Sequence, residues 1–179
     1  QDVIFALVGM GIGKTASVLA AFRQLQQSLE VESMLVIAPV RVCNITWGME
    51  VAQWEQFKHL KVANLRTPLG RRAFIAGQAD LYVCNYEAIP MLVKLVEKRG
   101  GTVPYQMIVY DESTRTKNPA SKRVNLLRRE LPQVKHRVAM TGTPAPNSLL
   151  DLFAQVRLLD DGQRLGRSFD HFKKTYFAA

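Results

Sequence analysis

Three short clusters in this sequence carry residue types suited to phosphoryl chemistry. Gly9-Met10-Gly11-Ile12-Gly13-Lys14-Thr15 follows an apolar run. Glycines let the backbone turn tightly with its N–H groups aimed at phosphate oxygens, and a helix starting at Lys14 adds its positive dipole end. In such a loop Lys14 reaches the β- and γ-phosphates and the Thr15 hydroxyl binds Mg²⁺. The strict pattern has Gly where this chain has Val8. The second cluster, Asp111-Glu112, ends the apolar run Met107–Tyr110. Asp111 is placed to hold Mg²⁺, directly or through water, and Glu112 to activate an attacking water. The third, Met140-Thr141-Gly142-Thr143-Pro144, sets two hydroxyls beside a glycine, which suits a hinge that senses the γ-phosphate. Singly, each has a plainer explanation: a glycine turn, two acids capping a helix, an ordinary turn. In combination they favour a nucleotide site, with Lys14, Asp111 and Glu112 catalytic, Thr15 and Asp111 on the metal, and Thr141, Gly142 and Thr143 for coupling.

The elements that must position these clusters are legible as an alternation. Ile4–Val8, Met34–Ala38, Leu81–Cys84, Met107–Tyr110 and Arg137–Met140 read as buried strands, and Val62–Leu65 as a weaker one. Lys14–Leu29, Val42–Phe57, Tyr86–Arg99, Ala120–Leu131 and Ser148–Leu158 carry helical spacing, with Leu149, Leu152, Phe153 and Val156 on one face of the last. Strand and helix in turn imply an α/β, three-layer fold: a mostly parallel sheet covered by helices on both faces. Ligands of such sheets sit beyond the carboxyl ends of the strands, where all three clusters fall.

Composition narrows the class. The chain has 179 residues, 47% of them hydrophobic and 22% charged, the balance of one ordinary globular domain. No apolar run approaches membrane-spanning length, no secretory signal is visible, and the first residue is Gln1 rather than Met, which reads as a piece of something longer. Cys43 and Cys84 belong to no Cys-x-x-Cys pair, so buried free thiols in a reducing compartment are expected. His59, His136 and His171 are scattered. Net charge is +9, and between Ser113 and Arg137 eight basic residues face the single Glu130, a local +7. Such a stretch either attracts a polyanion, nucleic acid first, or is a solvated helix face.

Motif order then adds a resemblance. Gly9–Thr15 resembles helicase motif I and Val36-Ile37-Ala38-Pro39 motif Ia; Trp47, Glu50 and Trp54 follow at a spacing similar to the Swi/Snf pattern. Asn85-Tyr86-Glu87 is similar to that family's Thr-Tyr-Glu, and Asp111–Pro119 resembles its motif II, with Thr114 where His is usual and Gly9 where motif I usually has an acid. Thr141-Gly142-Thr143-Pro144-Ala145-Pro146-Asn147 resembles motif III, and the segment Phe169–Tyr176 extends the likeness, which looks closest to phage or prophage members. The resemblance is to the first, ATP-binding lobe of Swi/Snf-type superfamily II helicase-like ATPases. It implies a RecA-like P-loop lobe, ATP and Mg²⁺ as cofactors, Gly9 to Thr15 as the nucleotide loop, sequence-nonspecific duplex DNA as partner, and a second lobe supplying arginine fingers. The expected DNA contacts are Pro39, Arg41, Asn85, Tyr86, Arg115, Lys117 and Asn118. Trp47 and Trp54 stack on bases or, at helical spacing in an apolar stretch, pack in the core or between lobes. Implied localisation is the cytoplasm of a bacterial or phage-infected cell, or the nucleus in a eukaryote. Rival readings are a GTPase, which lacks its Asn-Lys-x-Asp reader here; a kinase with too few lid arginines; a catalytically silent nucleic-acid-binding module; and a lobe of an unwinding helicase or restriction motor.

Overall fold

The alternation of apolar runs folds into six parallel strands, in a computed structural model that describes residues 2–7, 13–128 and 134–177. They are β1 (Asp2–Leu7), β2 (Met34–Ala38), β3 (Val62–Asn64), β4 (Leu81–Asn85), β5 (Met107–Asp111) and β6 (His136–Thr141), in the order β1-β6-β5-β2-β4-β3. Strands β2, β4, β5 and β6 are buried at every position, their apolar stretches as a sheet covered on both faces requires and the polar residues at their ends along with them.

Successive residues of each strand serve opposite faces, and two cores result. On one face Val36, Ala38, Val83, Met107, Val109 and Met140 meet α1 (Lys14–Gln27) and α2 (Trp47–Gln53) through Leu19, Phe22, Trp47 and Val51. On the other, Leu35, Ile37, Tyr82, Cys84, Ile108 and Ala139 meet α3 (Pro68–Ala76), α4 (Ile89–Lys98), α5 (Lys122–Leu127) and α6 (Leu152–Asp160). A last helix, α7 (Phe169–Phe177), docks through Phe172 against Phe153 of α6, ring centroids 5.1 Å apart.

Several details depart from the sequence expectations. The first strand is not a buried one: β1 has β6 as its one neighbour among the described residues, and Ile4 and Leu7 are 55% and 58% exposed. The helix expected over Val42–Phe57 is broken, because Val42–Thr46 winds as a π-helix before α2 and Glu55–Phe57 as a 3₁₀ turn after it. Helix α3 is an addition to the expected elements; the Thr67 side chain caps it by accepting from Gly70 N, with Pro68 at its first turn. The last expected helix starts as a 3₁₀ turn, Leu149–Asp151, which rotates its buried face. Leu149 is exposed, while Phe153, Ala154, Gln155, Leu158 and Leu159 are buried.

Candidate nucleotide and nucleic-acid site

Parallel pairing carries the strand ends to one rim of the sheet. Leu7, which leads to the glycine loop, is level with Thr141; Asp111 is level with Met140, and Ala38 with Asn85. Gly13 takes the left-handed conformation (φ 78°), and Lys14 and Thr15 open α1 directly after it, both half-buried. Gly9, Met10, Gly11 and Ile12 lie outside the described residues. The Lys14 charge reaches Asp111 and favours its ionised form.

Asp111 ends β5 at 7% exposure. Burial pushes its carboxyl above the ordinary value; the indole Nε1–H of Trp47, which donates to Asp111 Oδ2 at 3.1 Å, pulls the other way. Trp47 is fully buried and so belongs to the core, not to a base-stacking surface. The π-helical turn before α2 adds a residue to the local winding just where Trp47 must face the strand end. Trp54 is 42% exposed rather than core, and its Nε1–H donates to Glu50 Oε2 at 3.0 Å. Glu112 adopts φ 56°, ψ 53°, a left-handed backbone that costs a non-glycine residue about 1 kcal/mol or more. Such strain persists only where neighbours over-determine it.

Those neighbours are visible. Tyr86 OH donates to the Asp111 carbonyl at 2.8 Å, Arg115 N to the Glu112 carbonyl at 3.0 Å, and Thr116 Oγ1 to the Ser113 carbonyl at 2.7 Å. Thr114 and Thr141 hydroxyls lie 3.1 Å apart, and Thr143 N donates to Thr141 Oγ1 at 3.1 Å. A threonine pair thus joins the strand-β5 turn to the strand-β6 loop. Gln155 joins them again: it accepts from Ser113 Oγ at 2.7 Å and donates Nε2 to the carbonyls of Pro144 and Asp151, at 2.6 and 2.8 Å. No sequence signal marks Gln155, or Trp47 as a partner of Asp111.

Two of the expected DNA contacts are turned inward. Tyr86 is 1% exposed, because the 3₁₀ turn Tyr86–Ala88 rolls its ring beneath the rim, where burial and the Asp111 charge raise its phenol well above its ordinary range. Asn85 is buried, and its amide donates to Glu87 Oε2 at 2.8 Å, which keeps the Glu87 carboxyl below its ordinary value. Arg41, Arg115 and Asn118 are exposed, and Pro39 and Lys117 half-buried, along the same rim. Arg115 pairs loosely with Glu87 (3.9 Å) and Lys117 with Asp151 (3.7 Å), long ion pairs of small worth.

The basic stretch is also less free than its charge suggests. Arg137 is buried and meets both oxygens of Asp161 at 2.9 and 3.0 Å, and Lys135 meets Glu30 at 2.9 Å. Arg129 and Glu130 lie outside the described residues. The thiols behave as expected: Cys43 and Cys84 are free and buried, and burial pushes Cys43 up to about 12.

The family model for the SNF2-related domain matches residues 8–176. The chain belongs to that family. Protein p41 of Acyrthosiphon pisum secondary endosymbiont phage 1 is 37% identical over 177 residues, which cover 94% of this chain and 38% of p41. The ISWI chromatin-remodeling complex ATPase ISW2 of Saccharomyces cerevisiae is 28% identical over 84% of the chain and 13% of its own length. The SNF2-related domain here therefore spans well under half of the relatives it matches. Its architecture is similar to part of the Sulfolobus solfataricus SWI2/SNF2 ATPase core, solved in complex with dsDNA, at TM-score 0.76 and 28% identity over 96% of this chain and 34% of that one. The mostly parallel RecA-like sheet, the family and the likeness to a phage protein all agree with the sequence reading.

Proposed function

We propose that this chain is the first, ATP-binding lobe of a DNA translocase, and that residues 1–179 form that lobe as a unit. The observation that carries the reading is the convergence of Lys14, Asp111, Glu112 and Thr141 on one sheet rim, with Asp111 buried and oriented by Trp47. Gly9 to Thr15 cradle the phosphates, and Lys14 neutralises the β- and γ-oxygens. Thr15 and Asp111 offer a hydroxyl and a carboxylate, hard oxygen donors suited to Mg²⁺. Two such donors leave most of the ion's shell to phosphate oxygens and water, the arrangement Mg²⁺ favours. Glu112 activates the attacking water. Thr141, Gly142 and Thr143 relay the γ-phosphate state, with the Thr114 hydroxyl, 3.1 Å from that of Thr141, as their link to the turn after β5. Arg41, Arg115, Lys117 and Asn118, beside Pro39, grip DNA phosphates without reading sequence. A second lobe supplies arginines worth about 10³–10⁵ in rate, so this chain alone binds ATP and hydrolyses it slowly. The compartment is that of the DNA it acts on, the cytoplasm of a bacterial or phage-infected cell, or the nucleus in a eukaryote.

Calorimetry with Mg-ATP tests the core of this. Lys14→Ala should weaken binding at least about tenfold, a loss of about 1.4 kcal/mol, with an unchanged circular dichroism spectrum. Equal affinity in variant and parent refutes the nucleotide site.

A further inference from the structure

We infer that Gln155 is the positioning residue of Glu112: through Ser113 it holds the turn that aims the Glu112 carboxylate, and through Pro144 it ties that turn to the loop after β6. The inference rests on the reading of Glu112 as the water-activating group.

Position 155 lies between Ala154 and the Leu158-Leu159 pair on the buried side of α6, and it is 1% exposed. Packing alone asks for an aliphatic residue there. A buried primary amide costs free energy unless its polar atoms find partners. This one finds three, all at 2.6 to 2.8 Å: an acceptor role toward the Ser113 hydroxyl and donor roles toward Pro144 and Asp151 carbonyls. From its own helix the amide thus joins the remote turn after β5 to the loop that leads from β6 into α6, with its remaining hydrogen on the Asp151 carbonyl one turn back.

What the bridge supports is the strained residue next door. Glu112 sits at φ 56° between two fixed points. On its N-terminal side the Asp111 carbonyl is held by Tyr86 OH. On its C-terminal side the Ser113 hydroxyl is held by Gln155. Remove that acceptor and the turn loses the tie at Ser113, the residue next to Glu112, and keeps those at Thr114 and Thr116 beyond it. Glu112 can then relax toward the right-handed backbone that a non-glycine residue prefers, which swings its carboxylate away from the rim. Gln155 touches no reacting atom itself, so its effect must appear in turnover and not in nucleotide affinity, which Lys14 and the glycine loop govern.

The test uses two variants of the full-length protein. Gln155→Met keeps the volume and removes all three bonds; Ser113→Ala removes only the hydroxyl. Each should lower kcat about tenfold to a hundredfold while leaving the KM for ATP within about twofold, since a misplaced catalytic group loses rate rather than binding. The double variant should be no slower than the slower single, because the bond that Ser113→Ala cuts is one of the three that Gln155→Met removes. A wild-type kcat in Ser113→Ala overturns the inference, and so do effects that multiply in the double variant. Should Gln155→Met fail to fold, Ser113→Ala alone decides. If the parent protein hydrolyses no ATP, it is the ATPase reading that fails; amide hydrogen exchange across residues 112–117 then decides the clamp. Faster exchange there in Ser113→Ala supports it, and unchanged exchange overturns it.

Discussion

Asp111→Asn separates the demands of folding from those of function at one atom. The wild-type carboxyl is 7% exposed, and burial raises its pKa above the ordinary 3.8. An ionised Asp111 is therefore a cost to the empty chain at neutral pH. Asparagine removes the charge and keeps an oxygen for the Trp47 Nε1–H, so the apo variant should be more stable by about 1–2 kcal/mol. At this chain length each kcal/mol moves the melting temperature by about 2–4 °C, which gives a rise of about 2–8 °C. The sign with pH follows. As pH falls through the folded-state pKa of Asp111, the native wild type takes up its proton before the unfolded chain does, and its stability rises toward that of the variant. The gap is widest near neutrality and closes below 3.8. Mg-ATP reverses the ranking. At about a hundred times its Kd, ligand adds about 2.7 kcal/mol to the wild type, and the variant should lose the Mg²⁺-dependent part of that gain. Differential scanning fluorimetry with ATP, with and without Mg²⁺, reads both effects. A variant that melts below the parent when empty, or that keeps the full Mg²⁺-dependent shift, contradicts this account of Asp111.

Three further outcomes follow from particular neighbours. A β-carbon on Gly70 would run into the backbone carbonyl of Asn64, so Gly70→Ala should destabilise the chain by about 1–3 kcal/mol in urea denaturation; an unchanged midpoint refutes the close approach. Asp161→Asn keeps a residue tolerant of the left-handed backbone there (φ 56°) but takes the carboxylate from buried Arg137, and should cost about 1–3 kcal/mol by the same measurement. Replacing Arg115 and Lys117 with Ala should flatten the salt dependence of duplex binding by about one unit for each DNA phosphate that is no longer neutralised, equally for all sequences, by fluorescence anisotropy.

The central strands are legible because their sequences are continuous apolar runs, and the loops after them because glycine, acids and hydroxyls punctuate those runs. What the sequence hides is set by rotation about an axis. Leu149 and Val156 make a plausible buried stripe, but a 3₁₀ turn at Leu149–Asp151 turns the helix so that Gln155 faces inward. Tyr86 has the composition of a surface contact, and only the 3₁₀ turn after β4 buries it. Arg137 looks like part of a basic surface until Asp161, 24 residues on, supplies its partner. Helix α3 is hard to see because Gly70 interrupts it and only Phe74 gives it a deeply buried apolar anchor. Its signal is the Thr67-Pro68 start.

The edge placement of β1 has a consequence for ligand energetics. Among the described residues β1 is bonded on one side, with Ile4 and Leu7 open to water, and a strand so held separates from its sheet at lower free energy than its neighbours do. The glycine loop continues from that strand. If the loop grips a nucleotide as proposed, that nucleotide acts as a splint, and part of its interaction energy goes into holding β1 against β6, so affinity falls short of what the phosphate contacts alone would give. The same linkage runs in reverse: any substitution that tightens β1 on β6 strengthens nucleotide binding from a distance, without touching the nucleotide.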